Sequence, residues 1–294
     1  MTHRPLAAAL WMTGAIAAFT AMAIATRQIK GVHDTFEILA YRSMIGWVLV
    51  VALAALFGRL RDVRTDRLPS HVVRNVFHFS GQSLWFWAIT MIPLAQVFAL
   101  EFTSPIWVIL LSPIFLGERL TRRKLVAAAL GFAGVLIVAR PDFGHVEPGV
   151  LAAAAAAFFF ASTNLMTKAL TKGEPILSIL FWLTLMQAVF GTVAMTSFGT
   201  VTLPTLATLP WLVLIGLAGI TAHFSLTTAL SLAPASTVVP VDFARLPIIA
   251  AVGALFYAEP VEPSLFAGAA LIFLGIWITL VGASRPQAPD VTRP

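Results

Sequence analysis

Long apolar runs alternate along the chain with short connectors rich in Gly, Pro and Arg. About 20 apolar residues span the hydrocarbon core of a bilayer. A crossing backbone must satisfy its own hydrogen bonds there, so such runs cross as helices. The pattern predicts ten spans, at 6–26, 35–57, 72–91, 95–116, 122–139, 148–170, 176–198, 209–231, 235–257 and 263–282. The first run, behind Arg4, is longer than the ~7–15 residue core of a secretory signal and reads as a span. Turn residues mark the connectors: Gly31, Gly58, Pro93, Gly117, Pro141-Asp142, Gly173-Glu174-Pro175, Pro204, Pro234 and Pro260. The fold class is an all-α membrane protein.

Charge then orients the spans. Only 11% of residues are charged against 59% hydrophobic, where a soluble domain carries roughly 25% charged residues. Of 19 Lys and Arg, 14 fall on the side of the N-terminus, and only Arg27, Lys30 and Arg140 fall on the other. Arg42 and Arg245 lie within spans. Positive residues stay cytoplasmic, which puts both termini in the cytoplasm of a bacterial inner membrane. The net charge of +6 is thus explained by topology and calls for no nucleic-acid partner. With no cysteine in the chain, disulfides, thiolate metal sites and cysteine nucleophiles are excluded.

An internal repeat is the most informative feature. Shifted by 141 residues, the halves align without a gap over long stretches: Pro93 falls on Pro234, Phe102 on Phe243, Glu118 on Glu259 and Gly134 on Gly275. Hydrophobic runs match by composition alone, but Pro, Gly and Glu at one fixed offset do not. Each repeat holds five spans, an odd number, so the second starts from the opposite side and the repeats are inverted. The units are 1–143 and 144–284, followed by a disordered cytoplasmic tail at 285–294. Inverted repeats around a midplane site are the build of alternating-access carriers.

The segment Thr103-Ser-Pro-Ile-Trp-Val-Ile-Leu-Leu-Ser-Pro-Ile-Phe-Leu-Gly-Glu-Arg-Leu, followed by Leu130-Gly-Phe-Ala-Gly-Val-Leu-Ile-Val, resembles the EamA repeat of the drug/metabolite transporter superfamily. A second copy begins at Leu246-Pro-Ile-Ile and has Ala258 where the first has Gly117. The resemblance covers nearly the whole chain. It implies ten helices as five plus five inverted, a central cavity and secondary transport of a small solute. Relatives move amino acids, S-adenosylmethionine, riboflavin, nucleotide precursors, sugars or drugs. Gly117-Glu118 and Ala258-Glu259 resemble the family's end-of-helix element, with a structural capping role.

Charges inside a membrane cost roughly 2.5–3.5 kcal/mol each on insertion scales and mark function by default. Glu101 and Asp242 occupy equivalent repeat positions. Asp242 and Arg245, three apart, share a helix face; they form either a self-neutralising pair or a site where Arg245 holds a substrate carboxylate or phosphate. Arg suits the second role because its planar fork pairs bidentately. Glu101 has no basic residue at helical spacing. It is either a proton-coupling or cation-binding carboxylate, as Asp242 is also, or the partner of Arg42 across helices. Prolines lie close to both acids: Pro105 and Pro113 follow Glu101 in the fourth span, and Pro240 and Pro247 bracket Asp242 in the ninth. Interrupted helices at matching places in two halves point to a transporter's site. The third span carries a polar face, His71, Asn75, His78, Gln82 and Trp85, of which His78, Gln82 and Trp85 are placed to line a cavity. His223 matches Gln82 across the repeat. Ser162, Thr163 and Asn164 read as packing. Gly131, Gly134, Gly268 and Gly275 read as close helix contacts.

The substrate-binding candidates are therefore Glu101, Asp242, Arg245, Arg42, His78, Gln82, Trp85 and His223, with no metal site and no cofactor. The chain lacks a Walker A loop, a His-Glu-x-x-His helix and a Gly-x-Ser-x-Gly elbow, so it reads as a non-enzyme. The expected function is secondary transport of a small metabolite. An amino acid or related zwitterionic or anionic solute is the first expectation; a vitamin or nucleoside-like cofactor such as riboflavin or S-adenosylmethionine is the alternative. A membrane-embedded lipid-modifying enzyme and a non-transporting receptor are the readings from other classes.

Overall fold

The computed structural model describes residues 4–29, 31–92, 94–139, 147–198, 201–257 and 263–283. Pro93, Pro141-Asp142, the Ala258-Glu259 pair, Pro260 and the 285–294 tail lie outside them. The described chain is helical, with α1 at Pro5–Gln28, α2 at Thr35–Leu56, α3 at Leu68–Met91, α4 at Leu94–Glu101, α5 at Ser104–Leu116 and α6 at Arg122–Ala139. The second half follows with α7 at Pro148–Leu170, α8 at Ile176–Phe198, α9 at Leu209–Leu232, α10 at Ala235–Val238, α11 at Arg245–Tyr257 and α12 at Pro263–Ala283.

Eight of the ten predicted spans are single helices. The fourth and ninth are broken, as their prolines require. A proline lacks the N–H that would continue the ladder and crowds the preceding turn. The fourth span becomes α4 and α5, split at Phe102–Thr103, with Pro105 in the first turn of α5. The ninth becomes α10 and α11, joined by a 3-10 stretch at Val239–Ala244 that contains Pro240. Proline also opens α1, α3, α7 and α9, where the first turn has no use for its missing donor. An Asp34–Glu37 capping box starts α2. Gly117 ends α5 with φ 66°, a left-handed conformation that a side chain disfavours.

The packing has the symmetry of two inverted repeats in a ten-span fold. Helix α1 packs on α9 and α3 on α7, while α2 packs on α8 and α6 on α12. Exchanging the halves turns the first pair into the second and returns the other two pairs to themselves. The α6–α12 seam shows the same relation atom by atom. A Cβ on Gly134 would lie 2.6 Å from Gly268 O, and one on Gly275 would lie 2.7 Å from Ala127 O. Gly268 and Ala127 are themselves repeat equivalents, so each glycine admits the partner backbone at the same point of the axis. A Gly275→Val substitution is expected to push these backbones apart and to destabilise the protein by about 1–3 kcal/mol. Thermal unfolding in detergent measures this, and an unchanged midpoint would show that the seam tolerates separation.

Two hydrogen-bonded clasps repeat the symmetry on opposite faces. On one, Glu37 accepts from Thr202 N, and Tyr41 Oη donates to Thr202 O at 2.7 Å. On the other, Ser178 accepts from Arg64 N at 2.9 Å, and Trp182 Nε1 donates to Arg64 O at 2.8 Å. Ser178 and Trp182 are the repeat equivalents of Glu37 and Tyr41. The second helix of each repeat thus pins a loop of the other repeat.

Candidate functional site

The breaks in the fourth and ninth spans meet at the centre of the molecule. Arg245, the first residue of α11, donates to Glu101, the last residue of α4, and to Asp242 Oδ2 at 2.9 Å. Trp85 Nε1 of α3 donates to Glu101 Oε2 at 2.7 Å. The guanidinium also lies over two aromatic faces, 5.4 Å from the Phe19 ring centre and 5.2 Å from that of Phe102. Breaking the helices at these points is what lets carboxylates from both repeats converge on one cation.

All eight side chains singled out from the sequence line one cavity between the repeats. It encloses about 1020 Å³ of empty space, part of it open to solvent. Its aromatic wall includes Phe19, Trp85, Phe102 and Phe160. His78 and His223 stack edge to face with ring centres 4.9 Å apart. With the Gln82 amide oxygen turned toward α2, Arg42 donates to it from both terminal nitrogens, at 2.8 and 2.9 Å. Four atoms of these lining residues find no hydrogen-bond partner among the described residues: Asp242 Oδ1, Arg245 Nε, His78 Nδ1 and His223 Nε2.

Two sequence expectations need correction. Glu101 pairs with Arg245 and not with Arg42, whose bonds go to Gln82. The Asp242–Arg245 pair is likewise not self-contained, because Glu101 shares the cation. The sequence reading also missed a residue. Arg74, one of the 14 basic residues assigned to the side of the N-terminus, is 1% exposed and lines the cavity. Its Nε donates to Thr167 Oγ1 at 2.7 Å and its Nη1 to Asn75 Oδ1 at 3.2 Å. Its place in the series Arg74, His78, Gln82, Trp85 was the available signal, since all four share one helical face. Thr163 and Asn164, read as packing, line the cavity too; His71 does not.

The connection after α5 also crosses between repeats. Glu118 accepts from Ala235 N at 2.8 Å, from Ser236 N at 3.2 Å and from the Ser236 hydroxyl. Lys124 Nζ donates to the same hydroxyl at 2.5 Å. Lys168 Nζ of α7 donates to Leu230 O at 2.5 Å and Ala233 O at 2.8 Å, at the end of α9. The capping role expected for Glu118 is therefore exerted on α10 of the other repeat.

This architecture matches a known family over both halves. The EamA-like transporter family fits residues 6–140 and again 147–281. The chain belongs to that family. Among curated relatives of this EamA chain, a riboflavin transporter of Brucella anthropi is 32% identical over 89% of the chain and 94% of the relative. A riboflavin transporter of Vibrio cholerae is 30% identical over 93% of each. An S-adenosylmethionine uptake transporter of Rickettsia bellii is 26% identical over 81% of each. A solved crystal structure superposes with a TM-score of 0.81, covering 96% of this chain and 99% of that one at 20% identity, and so shares the fold. The EamA chain is thus a multi-pass membrane protein of a transporter family.

Proposed function

We propose that this EamA protein carries a flat heteroaromatic metabolite of the riboflavin type across the inner membrane by alternating access. The observation that carries the reading is the aromatic-walled cavity at the junction of two inverted repeats, in a chain whose relatives at 30–32% identity over about nine-tenths of its length are riboflavin transporters. Aromatic faces supply stacking area for fused rings, and the cavity's amide, imidazole and guanidinium groups supply donors for ring carbonyls and hydroxyls. This favours the cofactor alternative over an amino-acid substrate. In this reading both termini are cytoplasmic and each repeat moves as a unit. Glu101 and Asp242 are the proton-coupling groups of this reading, because protonating either weakens its bond to Arg245.

Charge separates riboflavin from S-adenosylmethionine, the other substrate type named among the relatives. A cationic sulfonium wants a free carboxylate. Both cavity carboxylates are engaged by Arg245, and three arginines face two acids. The cavity is therefore net positive and disfavours a cation.

Expression in a riboflavin-requiring bacterium without its own uptake system tests the reading. Labelled riboflavin is expected to enter and to be competed by unlabelled riboflavin but not by S-adenosylmethionine. Glu101→Gln and Asp242→Asn each weaken a buried charged hydrogen bond worth about 1.5–3 kcal/mol, and uptake should fall about tenfold or more. Absence of riboflavin flux from folded, membrane-inserted protein would refute the assignment.

A further inference from the structure

Arg42 and Arg74 are cavity-lining guanidinium groups whose charge is unmet. They are 6% and 1% exposed. Among the described residues neither has a carboxylate within ion-pair distance; their acceptors are neutral, namely Gln82 for Arg42, and Thr167 and Asn75 for Arg74. Glu101 and Asp242 are committed to Arg245. Along α3, Arg74 lies two turns before Gln82, with His78 between them. The cavity is thus divided by charge, with both carboxylates gathered on Arg245 at the level of Trp85 and two guanidinium groups without a carboxylate partner below it.

Burying two uncompensated cations is costly, and within a helical membrane bundle such residues persist where they face an interior cavity. Arginine presents a planar fork that matches phosphate or carboxylate bidentately. Resting on the reading that this cavity holds the substrate, we infer that Arg42 and Arg74 form an anion subsite, so that the preferred substrate is a heteroaromatic metabolite bearing a phosphate or carboxylate. The rings lie toward Trp85 and the anionic group toward α2 and the early turns of α3. A neutral flavin fills only the aromatic part of this arrangement.

The test uses the full chain in a maltoside detergent without added phospholipid, so that lipid headgroups do not supply the anion. Riboflavin and riboflavin 5′-phosphate are titrated against tryptophan fluorescence at matched ionic strength. The phosphate ester is expected to bind about tenfold tighter or more. That preference should collapse toward unity in Arg42→Gln and in Arg74→Gln, and persist in part in Arg42→Lys. In parallel, inorganic phosphate should raise the melting temperature of the wild type above that in matched chloride, and not that of the Arg42→Gln/Arg74→Gln variant. Equal affinity for the two flavins, or a preference that survives both Gln substitutions, overturns the anion subsite and leaves the flavin assignment standing. Phosphate protection without binding of either flavin overturns the flavin assignment and supports the subsite. No response to any of the three probes rejects both.

Discussion

Replacing Arg245 with Ala is expected to abolish uptake and to lower folded stability by about 3–5 kcal/mol, the usual cost of removing one partner from a buried ion pair. Arg245 is the only cation bonded to Glu101 and to Asp242 among the described residues. Without it, two carboxylates from different repeats would share a buried site and repel each other. The junction between α4 and the 3-10 stretch before α11 would lose the bonds that tie the halves at their centre. Arg245→Lys should recover only part of either quantity, because a compact ammonium does not reproduce the fork that reaches both acids while lying against Phe19 and Phe102. Melting in detergent and riboflavin uptake in cells read the two effects separately. Normal transport by Arg245→Ala would exclude the three-residue cluster from the transport cycle.

The cluster also marks how far residue patterns reach. The repeat offset, the ten spans and the breaks near Pro105 and Pro240 were legible because each follows from a local cause: apolar length, a missing N–H, or a glycine where a Cβ would strike the next backbone. Partner choice was not legible. Helical spacing foretold the Asp242–Arg245 bond, since i and i+3 meet on one face, but the Glu101–Arg245 bond joins residues 144 positions apart. It depends on how the repeats dock, and an Arg42–Glu101 pair satisfied the same spacing arguments equally well. Arg74 was obscured for a different reason. A basic residue near the start of a span usually belongs to the adjoining loop, and only its register with His78 and Gln82 sets it on the interior face. Glu118 was read as a local cap because helix-end acids commonly are, whereas its acceptor role is directed at α10 in the opposite repeat.

That cross-repeat role gives the second large expected effect. Glu118→Ala should shift the protein toward a state open on the Glu118 face. The carboxylate takes three hydrogen bonds from the start of α10, and Lys124 and Lys168 tie the same region to Ser236 and to the end of α9. Bonds to a charged group contribute about 1.5–3 kcal/mol each. In the alternating-access cycle proposed above these contacts break when the cavity opens on this face, so their loss acts on one conformer and is expected to displace the equilibrium by about tenfold to a hundredfold. The chain has no cysteine, so a Thr163→Cys substitution places a single reporter thiol on the cavity wall. In inside-out vesicles an impermeant maleimide should label it slowly when Glu118 is present and about tenfold faster in Glu118→Ala. Glu118→Gln, which keeps an acceptor but loses the charge, should fall between. Unchanged labelling would mean that this junction is a fixed hinge rather than a gate. The Glu37 clasp with Thr202 would then be the better candidate for the moving closure, because it lies on the opposite face and joins the repeats through one carboxylate in the same way.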